Sequence, residues 1–496
     1  MMPNQSVRNR EPIVANLLIG GKEVAGSERL EVRNPARPSE VVGTVVRGTP
    51  DHVNAAVAAA RTAQPAWGAL SFKQRAHALE AGLKKLEDDV DVRAEVFVRE
   101  NGKPFSQARA ELISVPKRQR VALAFADELD ADQLVQCETG RTIVTSRPYG
   151  VVVSIVPWNS PDILAFTQVV AALLAGNGVV LKPPESCPLT LTDSVRRFAG
   201  SLPPGIINVV TGLPGEIGDT LTTHADVGKI GFTGSIPAAR HIMSNAAQTI
   251  KGLTLELGGN DPAILLKDAV LDQAAIARMM TATFMMSGQI CMAIKRYYVH
   301  GSRKDEFLDK FSAAIDGLVV GDGLLPHVTL GPLHSKAGLV RARELVHDAA
   351  ARGARVSELG TIADAEVFDD GYFMRPTLVT DVTDDARLVA EEQFCPAIPV
   401  SAFDDVDEVI SRSNATCFGL GGSVWSRSAG DAMDVARRME TGQVWINSHG
   451  ILAINHRAPY GGVKQSGMGR KSGLQGIREY LHSQTITSLE HEPYTG

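Results

Sequence analysis

The sequence predicts an α/β protein with two parallel-sheet domains, and three observations carry that prediction. From about Gly150, short β-branched runs alternate with helical segments, the pattern of a parallel sheet covered on both faces. A second alternation of the same kind begins near Ala263 and runs to about residue 450. The chain has 496 residues, more than one hydrophobic core serves, so two or three domains are expected.

Taken in order, residues 51–63 (DHVNAAVAAARTA) read as a helix with an Ala/Val stripe and Asp51 placed as its cap. Residues 71–100 continue as charged amphipathic helices. The stretch Leu134–Ser146 is β-rich and polar at both ends, like a hairpin outside the first core. Strands are expected at Val151–Val156, Gly178–Leu181, Ile206–Val210 and Lys229–Phe232, with a helix at Gln168–Leu174 among them and another, 236–247, after the last. Tyr297–Val299 and Ile398–Ser401 are strands of the second alternation. The tail Gln484–Leu489 alternates Thr, Ile and Ser, as an exposed strand does.

Composition narrows the class. Hydrophobic content is 44%, charged content 21% and formal net charge −6, a balance that argues against nucleic-acid or membrane-surface roles, which usually want a basic patch. Cys137, Cys187, Cys291, Cys395 and Cys417 are dispersed and odd in number, and form no CxxC pair. A disulfide framework or a metal site is therefore not expected, and a reducing compartment is. Met1–Arg10 is polar without an apolar segment, and the longest apolar stretch, Val169–Leu181, is broken by Gly176-Asn177-Gly178 and too short to span a bilayer. The expectation is a cytoplasmic protein.

Five short segments carry chemistry. Cys291 follows Ser287-Gly288-Gln289-Ile290 in a small-residue turn that reads as opening toward a helix, whose N–H groups would favour the thiolate. An isolated cysteine is more often a buried structural one. Glu256, between Leu255 and Leu257 and ahead of Gly258-Gly259, is poorly placed for solvent, and burial would raise its pKa toward that of a general base; an edge-strand Glu facing water is the bland alternative. Asn159 lies in Pro157-Trp158-Asn159-Ser160-Pro161 at a strand's carboxyl end, where its amide can donate to an oxyanion or simply close an Asx-turn. In Gly231-Phe232-Thr233-Gly234-Ser235, Ser235 caps a helix whose N-terminus suits a pyrophosphate, although GxGxxG is absent. Lys182-Pro183-Pro184-Glu185 offers a cation and a carboxylate to a ribose, or forms a surface ion pair.

In this order and spacing, the segments resemble the aldehyde dehydrogenase superfamily over essentially the full chain. The matching signatures are PWN (157–159), KPPE (182–185), GFTGS (231–235), LELGG (255–259), GQxC (288–291), EEQF (391–394) and PYGGVKQSGMGR (459–470). The resemblance is to a bacterial branch of broad or unassigned substrate. It implies a Rossmann-like cofactor domain over about 1–128 and 149–255, a catalytic domain over 256–455, and an oligomerisation arm from 129–148 with 481–490. Family members are homodimers or homotetramers.

The resemblance also implies a mechanism. Cys291 attacks the aldehyde to give a thiohemiacetal, and Asn159 with the Cys291 N–H holds its oxyanion. Hydride then leaves for the nicotinamide, and Glu256 activates the water that hydrolyses the thioester. By the same resemblance Trp158, Lys182, Glu185, Thr233, Ser235, Leu257, Glu392 and Phe394 bind the dinucleotide. Ser160, Leu164, Thr167, Ile290, Met292, Arg457 and Tyr460 line the substrate pocket. Glu185 would repel a 2′-phosphate, which favours NAD and leaves some NADP use open.

Departures from the family pattern are informative. Ser160 stands where many members have Phe, and Thr167-Gln168 where many have Trp-Lys. Lys471 replaces the Glu after the last Gly-Arg, so the usual relay carrying protons from the general base is in doubt. Cys395 replaces a glycine beside the nicotinamide end. The polar wall and the loop with His449, His456 and Arg457 suggest a polar or anionic aldehyde, whereas Met285, Met286 and Met292 would suit an apolar tail. A catalytically silent binding protein and a thiol esterase are the competing classes. NADH formation with an aldehyde panel separates the first, and ester turnover without dinucleotide or aldehyde activity marks the second.

Overall fold

The computed structural model describes residues 11–130, 133–137 and 140–488. The expectations for Met1–Arg10, for positions 131–132 and 138–139 of the arm, and for residues 489–490 of the tail lie outside the described residues.

Two large sheets organise the molecule. The first has eight strands, of which four neighbours matter most here: β1 (Val151–Ile155), β2 (Gly178–Lys182), β3 (Val227–Thr233) and β4 (Gly252–Glu256). They lie in the order β4-β3-β1-β2 and are mutually parallel. Ile207–Val209 adds a parallel strand beside β2, and the antiparallel Leu17–Ile19, Lys22–Val24 and Gly467–Met468 finish the edges. Every residue of β2 is buried, as a parallel strand covered on both faces requires.

Register places the chemistry. Glu256 pairs with Thr233, Ile155 with Phe232, and Ile155 with Lys182, so the four strands end nearly level. Their carboxyl ends carry Glu256, Thr233, the Trp158-Asn159 turn and Lys182, the edge where open α/β sheets place ligands.

The second sheet runs through seven strands, with β5 (Asp261–Leu265) and β6 (Ile294–His300) near its centre. Six strands are parallel and the edge strand Arg355–Glu358 is antiparallel. The chain passes from the first sheet to the second through Leu257–Asn260 alone. The residues following Glu256 are thus held by both sheets.

Two helices frame the region beside Asn159. α1 (Phe105–Leu123) packs against α2 (Pro161–Leu174), which is buried over most of its surface and connects β1 to β2. α3 (Ile236–Ala247) starts at Ser235, whose Oγ accepts from Ala238 N, and Pro237 sits in its first turn, as the sequence predicts. α4 (Gly473–Arg478) touches both α1 and α2.

Two local expectations need correction. The first long helix spans Pro50–Gly68 and is capped by Thr49, not Asp51; Thr49 N donates to the His52 ring, and Pro50 takes the first position, where a missing N–H costs nothing. The helix expected at Gln168–Leu174 begins seven residues earlier, at Pro161, which takes the first helical position, where a missing N–H costs nothing, instead of closing the preceding turn.

Gln133–Cys137, Gly140–Pro148 and Leu481–Ser488 form a separate antiparallel sheet in which Gly140–Pro148 is central. Leu134, Val135 and Ile486 are exposed on it. Among the described residues, no helix is long and apolar enough to cross a membrane.

Candidate active site

Glu256 is the last residue of β4. Its side chain is 4% exposed, and Oε1 has no hydrogen-bond partner among the described residues. Burial pushes the carboxyl up to about 7, opposed by the charges of Lys471 and Arg470. Lys471 is itself buried, and burial pulls its ammonium down against the attraction of Glu256. Its Nζ donates to Thr233 Oγ1 at 2.6 Å, and Gln168 Nε2 donates to the same oxygen at 3.1 Å. Gln168 Oε1 accepts from Ser154 Oγ at 2.7 Å. The two departures from the family pattern, Gln168 and Lys471, thus meet on one hydroxyl beside Glu256.

The nucleophile segment is built differently. Cys291 does not open a helix. It sits in a turn closed by Ala293 N donating to Ile290 O, and β6 begins at Ile294. Ahead of it Met286, Ser287 and Gly288 all have positive φ, at 53°, 57° and 73°. Such a run is disfavoured for L-residues, so outside contacts must hold it. Met286 N donates to Gln107 Oε1, Ser287 Oγ to Gly331 O, and Lys295 Nζ to Gly288 O at 2.8 Å. A Cβ at Gly288 would lie 2.5 Å from the Cys395 carbonyl oxygen, so this position requires glycine. With no helix N-terminus at the sulfur, the expected low thiol pKa is reversed. Burial, with Glu392, Glu256 and Asp261 nearby, pushes Cys291 up to about 12.

Asn159 stands between the two segments. Its Nδ2 donates to Gln289 O at 3.0 Å, and among the described residues one N–H is uncommitted and Oδ1 has no partner. The turn carrying it is clamped from behind: Asn101 Nδ2 donates to Trp158 O and Lys103 Nζ to Asn159 O at 2.8 Å. Lys103 also pairs with Glu111 on α1 at 2.6 Å. The Trp158 ring stacks on His334 at 4.2 Å and meets Phe394 edge-on. His334 Nε2 lies 2.7 Å from Ser186 Oγ, while Gln289 Oε1 accepts from His334 N.

The residues expected to hold the dinucleotide follow the strand ends. Lys182 Nζ lies 3.1 Å from Glu185 Oε2, and the Glu185 side chain is 40% exposed. Ser235 still has its hydroxyl proton to donate, because the oxygen serves as acceptor in the cap. Leu257 N donates to Ser466 O, and Glu392 Oε1 accepts from Gly259 N at 3.0 Å. Phe394 has φ 48°, and Lys295 Nζ lies over its ring. A cation and a half-exposed carboxylate at one strand end, a helix N-terminus with a free hydroxyl at the next, and an aromatic ring beside Trp158 match the donor set of a dinucleotide.

Around Cys291, Leu420, Trp445 and Tyr460 are buried and Met292, Ala453 and Ile454 pack on them. Met286, Ile290 and Met292 form a second apolar group, and Ser160 Oγ touches Met286 Sδ at 3.5 Å. Tyr460 OH has no partner among the described residues, and burial raises it well above an ordinary phenol. Leu164 and Thr167 are half-buried on α2, where Thr167 Oγ1 donates back to Ile163 O. Gln168, read from sequence as part of the pocket wall, is buried toward the sheet instead. Arg457 is exposed and lies over the Phe125 ring.

Sequence reasoning missed Lys103, Glu111, Lys295 and His334. The Lys295-Arg296 pair inside the strand Ile294–His300, beside Ile294, Tyr297, Tyr298 and Val299, was a readable signal for Lys295. Its buried ammonium reaches Gly288 O, and the fully buried His449 ring reaches Met292 O at 3.0 Å. The backbone on both sides of Cys291 is therefore tied to buried polar side chains.

Comparison with known proteins agrees with this arrangement. The aldehyde dehydrogenase family model matches residues 23–486. A glutarate-semialdehyde dehydrogenase of Pseudomonas aeruginosa is 36% identical over 462 residues, 92% of this chain and 93% of that one. The NADP(+) succinate-semialdehyde dehydrogenase of Escherichia coli is 35% identical over 472 residues, 94% and 95% of the two chains. A crystal structure of Staphylococcus aureus betaine aldehyde dehydrogenase with NAD+ superimposes with TM-score 0.90 at 30% identity, covering 97% of this chain and 95% of that one. The chain belongs to the aldehyde dehydrogenase family, NAD(P)-dependent enzymes that oxidise aldehydes to acids.

Proposed function

We propose that this enzyme works through a covalent Cys291 adduct, with Glu256 as its only general base. The observation that carries the reading is the convergence at Cys291 of a carboxyl poised at about 7 and the Asn159 amide anchored on Gln289. A thiol pushed to about 12 is protonated at neutral pH, so attack on the aldehyde needs a base. Glu256, unpartnered at Oε1 and half ionised near neutrality, is suited to take that proton. The thiolate then forms the C–S bond, and the oxyanion is held by the free Asn159 N–H and the Cys291 backbone N–H. Collapse of the oxyanion expels hydride and leaves a thioester. Glu256 next takes a proton from the water that hydrolyses it, releasing acid and free thiol. The bound dinucleotide supplies the hydride acceptor.

Glu256 must shed each proton it gains. Lys471 lies against it and donates to Thr233, so its ammonium favours the ionised carboxylate between turnovers. We assign it the part for which the family relay was expected.

Lys182, Glu185, Ser235, Glu392 and Phe394 are the residues proposed to hold the cofactor. Glu185 supports NAD as the preferred form, and Lys182 beside it leaves NADP use open. The exposed apolar side chains of the three-stranded sheet support pairing with a second copy, as a dimer or tetramer. The relatives named above act on glutarate semialdehyde, succinate semialdehyde and betaine aldehyde. Two of these carry an anionic tail and one a cationic tail, so kinship alone leaves the tail's sign open.

The test is an aldehyde panel read at NADH absorbance, with NAD and NADP side by side. Cys291→Ala should lose turnover to background while dinucleotide still binds. Residual turnover above a trace would move the nucleophile elsewhere, with Cys187 and Cys395 the next to test.

A further inference from the structure

Cys291 occupies the second position of the turn 290–293, which is closed by Ala293 N donating to Ile290 O. That bond holds the N–H end of the Met292–Ala293 peptide. The carbonyl end of the same peptide is held by His449, whose Nε2 lies 3.0 Å from Met292 O. Gly450, at φ 56°, packs on the same oxygen, and a Cβ there would lie 2.8 Å from it. The carbonyl of Cys291 abuts Gly259, where a Cβ would lie 2.5 Å from that oxygen and 3.0 Å from Asp261 Oδ1. Asp261 and His449 therefore stand directly behind the peptides that carry the sulfur.

Strand termini deliver both side chains. Asp261 opens β5 beside Ile294 of β6, and its Oδ1 accepts from Gly421 N at 3.0 Å. His449 follows the strand Gln443–Ile446 by way of Asn447, at φ 53°, a conformation that asparagine tolerates. Asn447 is locked there by Ser426, whose N–H donates to Oδ1 and whose carbonyl accepts from Nδ2. The Asp261 and His449 side chains are 1% and 0% exposed, and His449 Nε2 lies 3.6 Å from Asp261 Oδ2. Among the described residues, neither Asp261 Oδ2 nor His449 Nδ1 has a hydrogen-bond partner. Nε2 thus faces two acceptors, the Met292 carbonyl and the Asp261 carboxylate, and Nδ1 has none. A neutral imidazole carries one N–H, and these acceptors place it on Nε2. On Nδ1 it would leave an Nε2 lone pair opposing both oxygens.

We propose that Asp261 and His449 act as a pair of positioning residues. The carboxylate fixes the Nε2–H tautomer of the ring, and that N–H fixes the turn that presents Cys291 to the aldehyde. This rests on the reading of Cys291 as the nucleophile. Neither residue meets the substrate, and neither gains or loses a proton during the reaction. Asp261→Asn reverses the tautomer. Gly421 N requires an oxygen at the Oδ1 position, so the new NH2 group takes the place of Oδ2 and faces Nε2. A donor there draws the Nε2 lone pair and moves the ring proton to Nδ1, and Met292 O loses its hydrogen bond. A substitution of nearly the same shape therefore breaks the pair.

The experiment measures kcat and KM for an aldehyde that wild type oxidises, NAD(P)H affinity by fluorescence titration, and urea unfolding. The variants are His449→Gln, His449→Asn, Asp261→Asn, and Asp261→Asn combined with His449→Gln. The amide nitrogen of glutamine reaches the place of Nε2, whereas that of asparagine reaches only the place of Nδ1. His449→Asn and Asp261→Asn should each lower kcat ~10- to 100-fold, toward the cost of moving a reacting group by an ångström. Aldehyde KM and NAD(P)H affinity should stay within about twofold of wild type. His449→Gln should keep most of the activity. On the glutamine background Asp261→Asn should cost almost nothing further, because an amide has no tautomer to lose. Full activity in His449→Asn, or equal losses in His449→Gln and His449→Asn, would overturn the proposal at the Met292 hydrogen bond. A loss from Asp261→Asn as large beside glutamine as beside histidine would overturn it at the tautomer. So would losses that track a fall in the urea midpoint or in NAD(P)H affinity, which would leave both residues a packing role. Turnover surviving in Cys291→Ala would instead remove the nucleophile on which the proposal rests.

Discussion

The two segments proposed to carry the reaction are held in opposite ways. Glu256 ends a regular parallel strand, and its position follows from backbone pairing with β3 and with Gly467–Met468. Cys291 follows three left-handed residues and owes its position to side chains outside the turn, Lys295 four residues on and Gln107 and His449 far away in sequence. The rigid strand delivers a carboxyl whose solvation is poor, and the strained turn delivers a thiol whose proton is hard to remove. In the proposed mechanism, reactivity therefore belongs to the pair: burial raises both the carboxyl and the thiol, and the strand brings the base to the sulfur.

Removing the base breaks the comparison most severely. Glu256→Gln should lower kcat roughly 10²- to 10⁴-fold, the range for general-base catalysis. It should also abolish the pre-steady-state burst of NADH, because thiol and water both need the carboxylate. A full burst followed by a halt would confine Glu256 to hydrolysis.

A smaller effect is expected from relaxing the turn. Gly288→Ala puts a methyl against the Cys395 carbonyl at φ 73°, which should cost about 1–3 kcal/mol of stability in urea unfolding and lower kcat with it. A variant as stable and active as wild type would show that the left-handed turn is not what positions the sulfur.

These two residues also mark what the sequence could tell. Glu256 was legible from a local rule, since a charge between two leucines ahead of two glycines fits a buried strand end. Trp158-Asn159 and the Ser235 cap were legible for similar reasons. The environment of Cys291 was not. A helix after it was the reasonable local reading, but the turn is held by hydrogen bonds to Gln107 and Gly331, which no window around residue 291 contains. The low thiol pKa failed with the helix. The loop of Arg457 was identified, but its exposed place over the Phe125 ring depends on a helix end distant in sequence.

The smallest effect sharpens the electrostatics of the strand side. The Lys471 charge holds the Glu256 carboxyl below where burial alone would put it. Activity needs the ionised carboxylate, so it should rise with pH through about 7 in wild type. In Lys471→Met that rise should move to higher pH, with little change on the plateau. An unmoved or downward-shifted limb would remove Lys471 from the account.

The central claim, that Glu256 governs the Cys291 proton, is tested most directly by alkylating the dinucleotide-free enzyme with iodoacetamide across pH 5–10, in wild type and Glu256→Gln. Modification of Cys291 should be followed by peptide mass. The wild-type rate should climb with the ionisation of a group near 7 and then level off, because one proton shared by thiol and carboxyl must be lost. The variant should react slowly and keep rising with pH, without a step near 7. Identical profiles in the two proteins would contradict the claim.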